Sequence, residues 1–204
     1  MILPKEIKKF ADIFSELPGI GPRQAIRLAF RLIQEHRQYI GPMADAVRDL
    51  RNVEVCQTCF FPHSSSLPAC PLCGDTTRDS STFMVVEKET DLIAIERSGA
   101  FHGQYCIIGA LPKGGNLTPE QERRITVLQK NIAARASNGA AKEIIIAFPP
   151  STSGDIYAEH VAQRLRPQAT IISRIGRGIP TGGEIEFADD ETLSPALKRR
   201  SAAS

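Results

Sequence analysis

The sequence has no apolar run long enough to cross a membrane, because its longest apolar runs are only as long as β-strands. Its first residues, MILPKEIKKF, lack the basic and then apolar pattern of a signal peptide, so we expect a cytoplasmic protein. With 204 residues, the chain can bury a core in one large domain or in two or three smaller ones.

The chain also lacks a large excess of positive or negative charge. The formal net charge is only +2, which is too small to assign nucleic-acid binding to the protein as a whole. Only a local concentration of basic residues could support such an assignment.

Residues 1–54 are predicted to form a helical domain. Three amphipathic helices are expected, of which the first ends before Pro18, the second begins at Pro22 and the third begins at Gly41. Their predicted buried faces consist of Ile7, Phe10, Ala11 and Phe14 in the first helix, Ala25, Leu28, Ala29 and Leu32 in the second, and Met43, Ala46, Val47 and Leu50 in the third.

The turn between the first two helices has the sequence PGIG. A helix, a Gly-x-Gly turn and a second helix are typical of helix-hairpin-helix nucleic-acid binders, in which amide N–H groups and the start of the second helix face a phosphate. We predict that Gly19 and Gly21 shape this hairpin, and that Arg23, Arg27 and Arg31 contact DNA from the side opposite the apolar stripe. An ordinary helical hairpin with a solvated basic face is the alternative.

Four of the five cysteines form two Cys-x-x-Cys pairs with ten residues between the pairs. In a reducing compartment this spacing argues against a disulfide framework. Four thiolates with no open position are typical of structural Zn²⁺, so residues 55–78 are predicted to form a zinc module; a redox pair is the alternative. The predicted ligands are Cys56, Cys59, Cys70 and Cys73, while Cys106 is expected in the core.

From residue 79 to residue 175, strand and helix patterns alternate, which predicts an α/β domain with a parallel sheet and right-handed crossovers. The predicted strands are 83–87, 104–109, 143–148 and 170–175, and the predicted helices are 89–98, 117–136 and 155–166. Thr118 and Gln121 are expected to form a capping box at the start of the second of these helices.

The loop after the third of these strands lacks catalytic side chains. Ligands of α/β proteins usually bind beyond the carboxyl ends of strands, yet residues 147–154 include no Asp, Glu, His, Lys or Cys. Glu87 ends the first strand by itself, whereas Mg²⁺ requires several hard oxygen ligands together. We therefore expect Glu87 to be a salt-bridge or hydrogen-bond partner.

The order of these parts resembles the RecR family of bacterial recombination mediators. The resemblance is carried by LPGIGPRQAIRLAFRL, the four cysteines, VVEKETDLIAIERSGAFHGQY and RIGRGIPTGGEIEFADDETLSPAL. It implies a Toprim-like domain and a non-enzymatic role in DNA repair, in the cytoplasm at the nucleoid. It also implies a ring-shaped homotetramer that works with RecO and RecF to load RecA onto single-stranded or gapped DNA.

Toprim enzymes carry a glutamate at a strand end and then Asp-x-Asp followed by a glycine. Glu87 and Gly154 match this pattern, but Pro149 and Ser151 stand at the two aspartate positions. The resemblance therefore implies a scaffold for assembly and partner docking, with Glu87 and Asp155 as partner or assembly residues. The loops FPPSTSGD and ALPKGGNLTPEQ depart from the family pattern, which affects any docking of RecO there.

Residues 176–204 are predicted to form an extended assembly segment because of their glycines and Pro180. Leu193 and Leu197 would pack on a neighbouring subunit. Two other functions stay open: a magnesium-dependent nuclease or primase that uses Glu87, and a zinc-module protein that binds RNA or acts as a scaffold.

Overall fold

The structure, a computed structural model, describes residues 2–112, 114–136, 139–176, 178–179, 182–198 and 200. The chain divides into two compact units, Met1–Val53 and Glu54–Ser204. Within the described part of the chain, no helix combines the length and the apolar character that a membrane span requires.

The first unit is helical, as predicted. It consists of α1 (Lys5–Phe14), α2 (Pro22–Glu35) and α3 (Ile40–Asp49). Pro22 is the first residue of α2, where its missing N–H group costs no intrahelical hydrogen bond. The buried side chains of the first unit are Ile7 and Ala11 of α1 and Ala25 and Ala29 of α2.

The prediction that α3 has a buried face is wrong for the single chain. No residue of this helix is buried, and Met43, Val47 and the following Leu50 are 47%, 63% and 67% exposed. An amphipathic pattern indicates which face of a helix is apolar, but it does not indicate whether the same chain covers that face.

The second unit contains a four-stranded parallel sheet in the order β4-β3-β5-β6. Its strands are β3 (Thr82–Val86), β4 (Gln104–Ile107), β5 (Ala141–Ala147) and β6 (Ala169–Arg174). Its connecting helices are α4 (Glu89–Ser98), α5 (Pro119–Arg135) and α6 (Thr152–Leu165). The α/β fold is thus confirmed, with element ends that differ from the predicted ones by up to three residues.

Side-chain caps set the start of two of these helices. Thr118 Oγ1 accepts a hydrogen bond from Gln121 N at 3.2 Å, and Gln121 Oε1 accepts one from Thr118 N at 2.9 Å, which confirms a predicted capping box. Ser151 Oγ accepts a hydrogen bond from Gly154 N at 3.1 Å. This cap explains why α6 begins three residues before the predicted Asp155.

The core of the second unit lies on both faces of the sheet. Phe83 in β3 pairs with Ile144 in β5, and both side chains are fully buried. Leu92 of α4 and Leu128 of α5 are likewise buried, and right-handed crossovers place these two helices on opposite faces of the sheet. Parallel sheets are commonly covered by helices on both faces, and this burial fits that arrangement. Cys106 is 1% exposed, as predicted for a core residue.

Two peripheral segments complete the second unit. A two-stranded sheet joins β1 (Val53–Val55) to β2 (Pro62–Ser64) beside the cysteines. The carboxyl-terminal segment is not extended throughout, because α7 (Asp190–Lys198) forms near its end. Asp189 Oδ1 accepts a hydrogen bond from Thr192 N at 2.7 Å, which caps this helix. Pro180 lies outside the described residues.

Candidate nucleic-acid interface and metal centre

The hairpin between α1 and α2 leaves the start of α2 without a side-chain cap. Gly19 has a φ of +81°, a left-handed conformation that favours glycine, and Ile20 N donates to Leu17 O at 3.1 Å across the turn. Gly21 precedes α2 with extended backbone, and no side chain caps the helix. The first N–H groups of a helix have no intrahelical acceptor, so this end suits an anion.

The three predicted arginines are exposed on α2, but they differ in their partners. Arg31 Nε donates to Glu35 Oε2 at 2.8 Å, in an ion pair whose side chains are 69% and 53% exposed. Among the described residues, Arg23 and Arg27 have no ion pair. These two guanidinium groups are therefore the stronger candidates for phosphate contacts.

The four predicted cysteine ligands come together. Their Sγ atoms all lie within 4.8 Å of one another. Cys56 Sγ is 3.8 Å from Cys73 Sγ, and Cys59 Sγ is 3.6 Å from Cys70 Sγ. A tetrahedral ion with bonds of about 2.3 Å to sulfur separates its ligands by about 3.8 Å, so the cluster has the dimensions of a zinc site.

Contact between two thiols of this cluster shifts their pKa values in opposite directions. A hydrogen bond with Cys59, opposed by burial, lowers the pKa of Cys73 to about 6. The same contact and burial raise the pKa of Cys59. His63 is not a member of the cluster, because its Nδ1 contacts Ser64 O at 3.1 Å and its Nε2 lies 3.7 Å from Glu54 Oε1. Four cysteines therefore form the candidate metal site.

The first cysteine pair is anchored in the core of the α/β domain. Ile107 N at the end of β4 donates to Cys59 O at 2.9 Å. Phe60 follows with a φ of +64° and is buried within the same apolar cluster as the sheet. Arg124 of α5 lies over the Phe60 ring, with its guanidinium carbon 4.7 Å from the ring centre.

The carboxyl edge of the sheet does not assemble a second carboxylate around Glu87. Glu87 is buried, and its Oε1 accepts a hydrogen bond from Leu111 N at 3.2 Å and lies 3.5 Å from Lys88 Nζ. Asp155 pairs with Arg174 instead. Among the described residues, the four cysteines are the only His, Cys, Asp or Glu group arranged to hold a metal. Glu87 is thus a hydrogen-bond and ion-pair partner, as expected.

Comparisons with known proteins match nearly the whole chain. Family models for the RecR helix-hairpin-helix, the Toprim domain and the RecR C-terminal region match residues 7–51, 81–176 and 178–201. Recombination protein RecR of Synechococcus sp. (strain CC9311) is 42% identical over 194 residues, or 94% of this chain and 98% of that protein. Recombination protein RecR of Phenylobacterium zucineum (strain HLK1) is 35% identical over 199 residues, or 97% and 96% of the two chains. The chain belongs to the RecR family.

The RecR C-terminal match includes both leucines predicted to serve assembly. Leu193 is half-buried, while Leu197 is 64% exposed on α7. Their contact with another subunit stays a prediction. The proposed domain limits of the RecR-family chain (1–54, 55–78, 79–175 and 176–204) also stay predictions.

Three side chains that sequence reasoning missed hold parts of this RecR-family structure together. Tyr157 donates to Pro112 O at 2.7 Å, and Gln121 Nε2 donates to Ala110 O at 3.0 Å, so both fix the loop after β4. Arg135 Nη2 donates to Cys73 O at 3.1 Å. Only the capping-box position of Gln121 was visible as a sequence signal, because the other contacts join residues distant in the chain.

Proposed function

We propose that this protein is a DNA-binding recombination mediator with no catalytic activity of its own. It acts as a ring-shaped clamp that helps to load RecA onto single-stranded or gapped DNA, in the cytoplasm at the nucleoid, with RecO and RecF as partners. The observation that carries this proposal is the pair of exposed arginines beside the uncapped start of α2.

The hairpin supports sequence-independent DNA binding. Arg23 and Arg27 are exposed on the helix that begins at Gly21. Helix-start N–H groups and guanidinium groups both favour a phosphate oxygen, and neither reads the base sequence. The affinity of one such hairpin is modest, and several copies in a ring would raise the effective concentration of binding sites on one DNA molecule.

The exposed face of α3 supports the proposed homotetramer. Met43, Val47 and Leu50 place apolar side chains in solvent in a single chain. Contiguous exposed apolar side chains of this kind mark protein–protein contact surfaces. In the proposed assembly, another copy of the chain covers this face.

The remaining parts have supporting roles in the proposal. A structural Zn²⁺ held by the four cysteines stabilises their module, and no open position remains for a substrate. Pro149 and Ser151 offer no carboxylate beside Glu87, and Ser151 is occupied as the cap of α6. The carboxyl edge then serves partner docking.

The proposal is tested by the double variant Arg23→Ala/Arg27→Ala. Each lost phosphate contact should reduce the magnitude of the slope of log affinity against log salt by about 0.7–0.9, so losing the pair should reduce it by roughly 1.4–1.8. Affinity for gapped DNA is measured across a salt series by fluorescence anisotropy, with oligomer mass checked by light scattering. The control Arg48→Ala/Arg51→Ala removes the same charge from the same unit, and an equal loss in both variants would contradict the hairpin site.

A competition experiment separates this function from RNA binding. The labelled gapped DNA complex is challenged with unlabelled DNA or RNA of equal length. Preferential displacement by DNA is expected, whereas stronger displacement by RNA would favour an RNA-binding protein.

A Mg²⁺-dependent nuclease or primase is the second candidate, because the Toprim match includes the buried carboxylate Glu87. Labelled DNA is incubated with Mg²⁺ or Mn²⁺, with and without nucleoside triphosphates, and with wild type or Glu87→Gln. We expect no turnover by either protein. Cleavage or synthesis that Glu87→Gln abolishes would establish the enzyme instead.

A further inference from the structure

Arg135, in the last turn of α5, is held against the second cysteine pair. Its Nη2 donates to Cys73 O at 3.1 Å across 62 residues of sequence. Its Nε donates to Asn131 Oδ1 at 2.8 Å, and its Nη1 donates to Gln104 Oε1 at 3.3 Å. Gln104 is itself 2% exposed. Three acceptors therefore fix the guanidinium group in one orientation beside a metal-ligand residue.

The net negative charge of the metal-loaded site favours a nearby cation. Four thiolates around a divalent ion carry a net charge of −2. Cys56, Cys59 and Cys70 are buried and Cys73 is half-buried, so water offsets only part of that charge.

A second arginine of α5 holds the other cysteine pair. Arg124 lies over Phe60, and its Nη1 donates to Ile107 O at 3.1 Å, the residue whose N–H group bonds Cys59 O. Arg124 and Arg135 are about three helical turns apart and so share one face of α5. One helix of the α/β domain thus contacts both halves of the metal site, but only Arg135 bonds a ligand residue directly.

We infer that Arg135 is a positioning residue of the metal centre. Its guanidinium group offsets the negative charge of the four-thiolate site, and its hydrogen bond to Cys73 O orients the second cysteine pair for the ion. This inference rests on the proposed Zn²⁺ site. Partners that orient metal ligands from outside the coordination sphere typically change metal affinity by roughly 10- to 100-fold when mutated.

The test measures the zinc dissociation constant of the full chain by competition with a chromophoric chelator. Arg135→Gln should weaken zinc binding roughly 10- to 100-fold. Arg135→Lys should recover part of the loss, because it keeps the charge but cannot make three directed hydrogen bonds. Lys130→Gln is the matched control, since it removes an exposed cation from the same helix, and its dissociation constant should equal that of wild type.

Two further measurements separate a metal role from a merely structural one. In Co²⁺-substituted protein at saturation, Arg135→Gln should keep the absorption bands of a tetrahedral four-sulfur site, at a higher Co²⁺ concentration. Its thermal destabilisation relative to wild type should be larger with zinc than after chelation, because the lost interaction is made with the loaded site. Arg135→Lys gives the same comparison should Arg135→Gln fail to fold.

The outcomes distinguish failure of the proposed zinc site from failure of the role inferred for Arg135. A wild-type chain that binds no zinc would remove the proposed metal and this inference together. A wild-type chain that binds zinc tightly, with both Arg135 variants within twofold of it, would overturn the inference alone. Equal destabilisation with and without zinc would also overturn it.

Discussion

The two units of the chain differ sharply in how much apolar surface they bury. In the second unit, β3, β4 and β5 contribute fully buried side chains such as Phe83, Ile107 and Ile144, and α5 and α6 cover the sheet. Among the described residues of the first unit, the buried apolar side chains are two alanines of α2 together with Ile7 and Ala11 of α1. The first unit therefore has a much smaller core for its length.

This difference indicates how each unit is stabilised. The α/β unit has a continuous core, which the cysteine module extends through Phe60. We therefore expect this unit to fold without help from the first unit. A helical unit of about 50 residues buries a small share of its surface and is marginal alone. It leaves arginines on α2 and apolar side chains on α3 exposed, which the proposed function assigns to DNA and to other copies of the chain.

The largest expected effect in this comparison comes from removing a metal ligand. Cys59→Ser should abolish stable zinc binding and cost several kcal/mol, since structural zinc contributes an apparent 10–16 kcal/mol or so in comparable peptides. Zinc content and hydrogen exchange measure the result, with protection expected to fall in the second unit and to persist in α1 and α2. Cys106→Ala, also buried, should keep one zinc ion per chain; an equal loss of protection in both units would contradict the comparison.

A pair of isoleucine truncations compares a buried side chain of the second unit with an exposed one of the first unit. Ile144 is 0% exposed and Ile33 is 43% exposed. Ile144→Ala should lower the free energy of unfolding by about 2–5 kcal/mol because it leaves a cavity. Ile33→Ala should change it by less than about 0.5 kcal/mol. Denaturant titration measures both, and similar values would show that Ile33 contributes as much packing energy as Ile144.

Two glycines differ in the physical reason for their presence. A Cβ on Gly154 would lie 2.1 Å from Pro149 O, whereas a Cβ on Gly19 would meet no atom within 4 Å. Gly154→Ala should therefore cost about 1–3 kcal/mol through overpacking. Gly19→Ala should cost about 1–2 kcal/mol, because its φ of +81° strains any L side chain. Thermal unfolding measures the loss of stability in both variants. A larger loss for Gly19→Ala than for Gly154→Ala would contradict the expected order.

The smallest effect on folding is expected at α3. Val47 is 63% exposed, so Val47→Asp should change the stability of the single chain by less than about 0.5 kcal/mol. It should nevertheless reduce self-association, because a carboxylate would enter the proposed contact face. Sedimentation velocity measures this, with Asp49→Asn on the opposite face of α3 as control. An unchanged oligomer mass in Val47→Asp would exclude this face from assembly.

Local patterns predicted most of the fold. The alternation of strand and helix patterns predicted the parallel sheet, and Thr118 with Gln121 predicted the start of α5. The end of the chain was harder, because the glycines and Pro180 suggested an extended segment, whereas Asp189 caps a helix.

The candidate site was predicted in part. The two Cys-x-x-Cys pairs predicted one cluster, since each pair turns its own thiols together and the two pairs supply the four ligands of a tetrahedral site. The arginines on α2 were predicted from their spacing, but the ion pair with Glu35 that distinguishes Arg31 from Arg23 and Arg27 was not. Arg135 could not have been found, because nothing in a single sequence links it to Cys73.

The sequence by itself determined which helix faces are apolar, which four cysteines have the spacing of a metal site and that Pro149 and Ser151 stand at the two aspartate positions of a Toprim enzyme. These properties follow from residue type and spacing along the chain. Only the tertiary structure decided that Glu87 bonds the backbone of the loop after β4, that α5 supplies a cation to the cysteine cluster and that α3 remains uncovered. Such contacts join residues far apart in sequence, and their energies exist only once the sheet and its helices have packed.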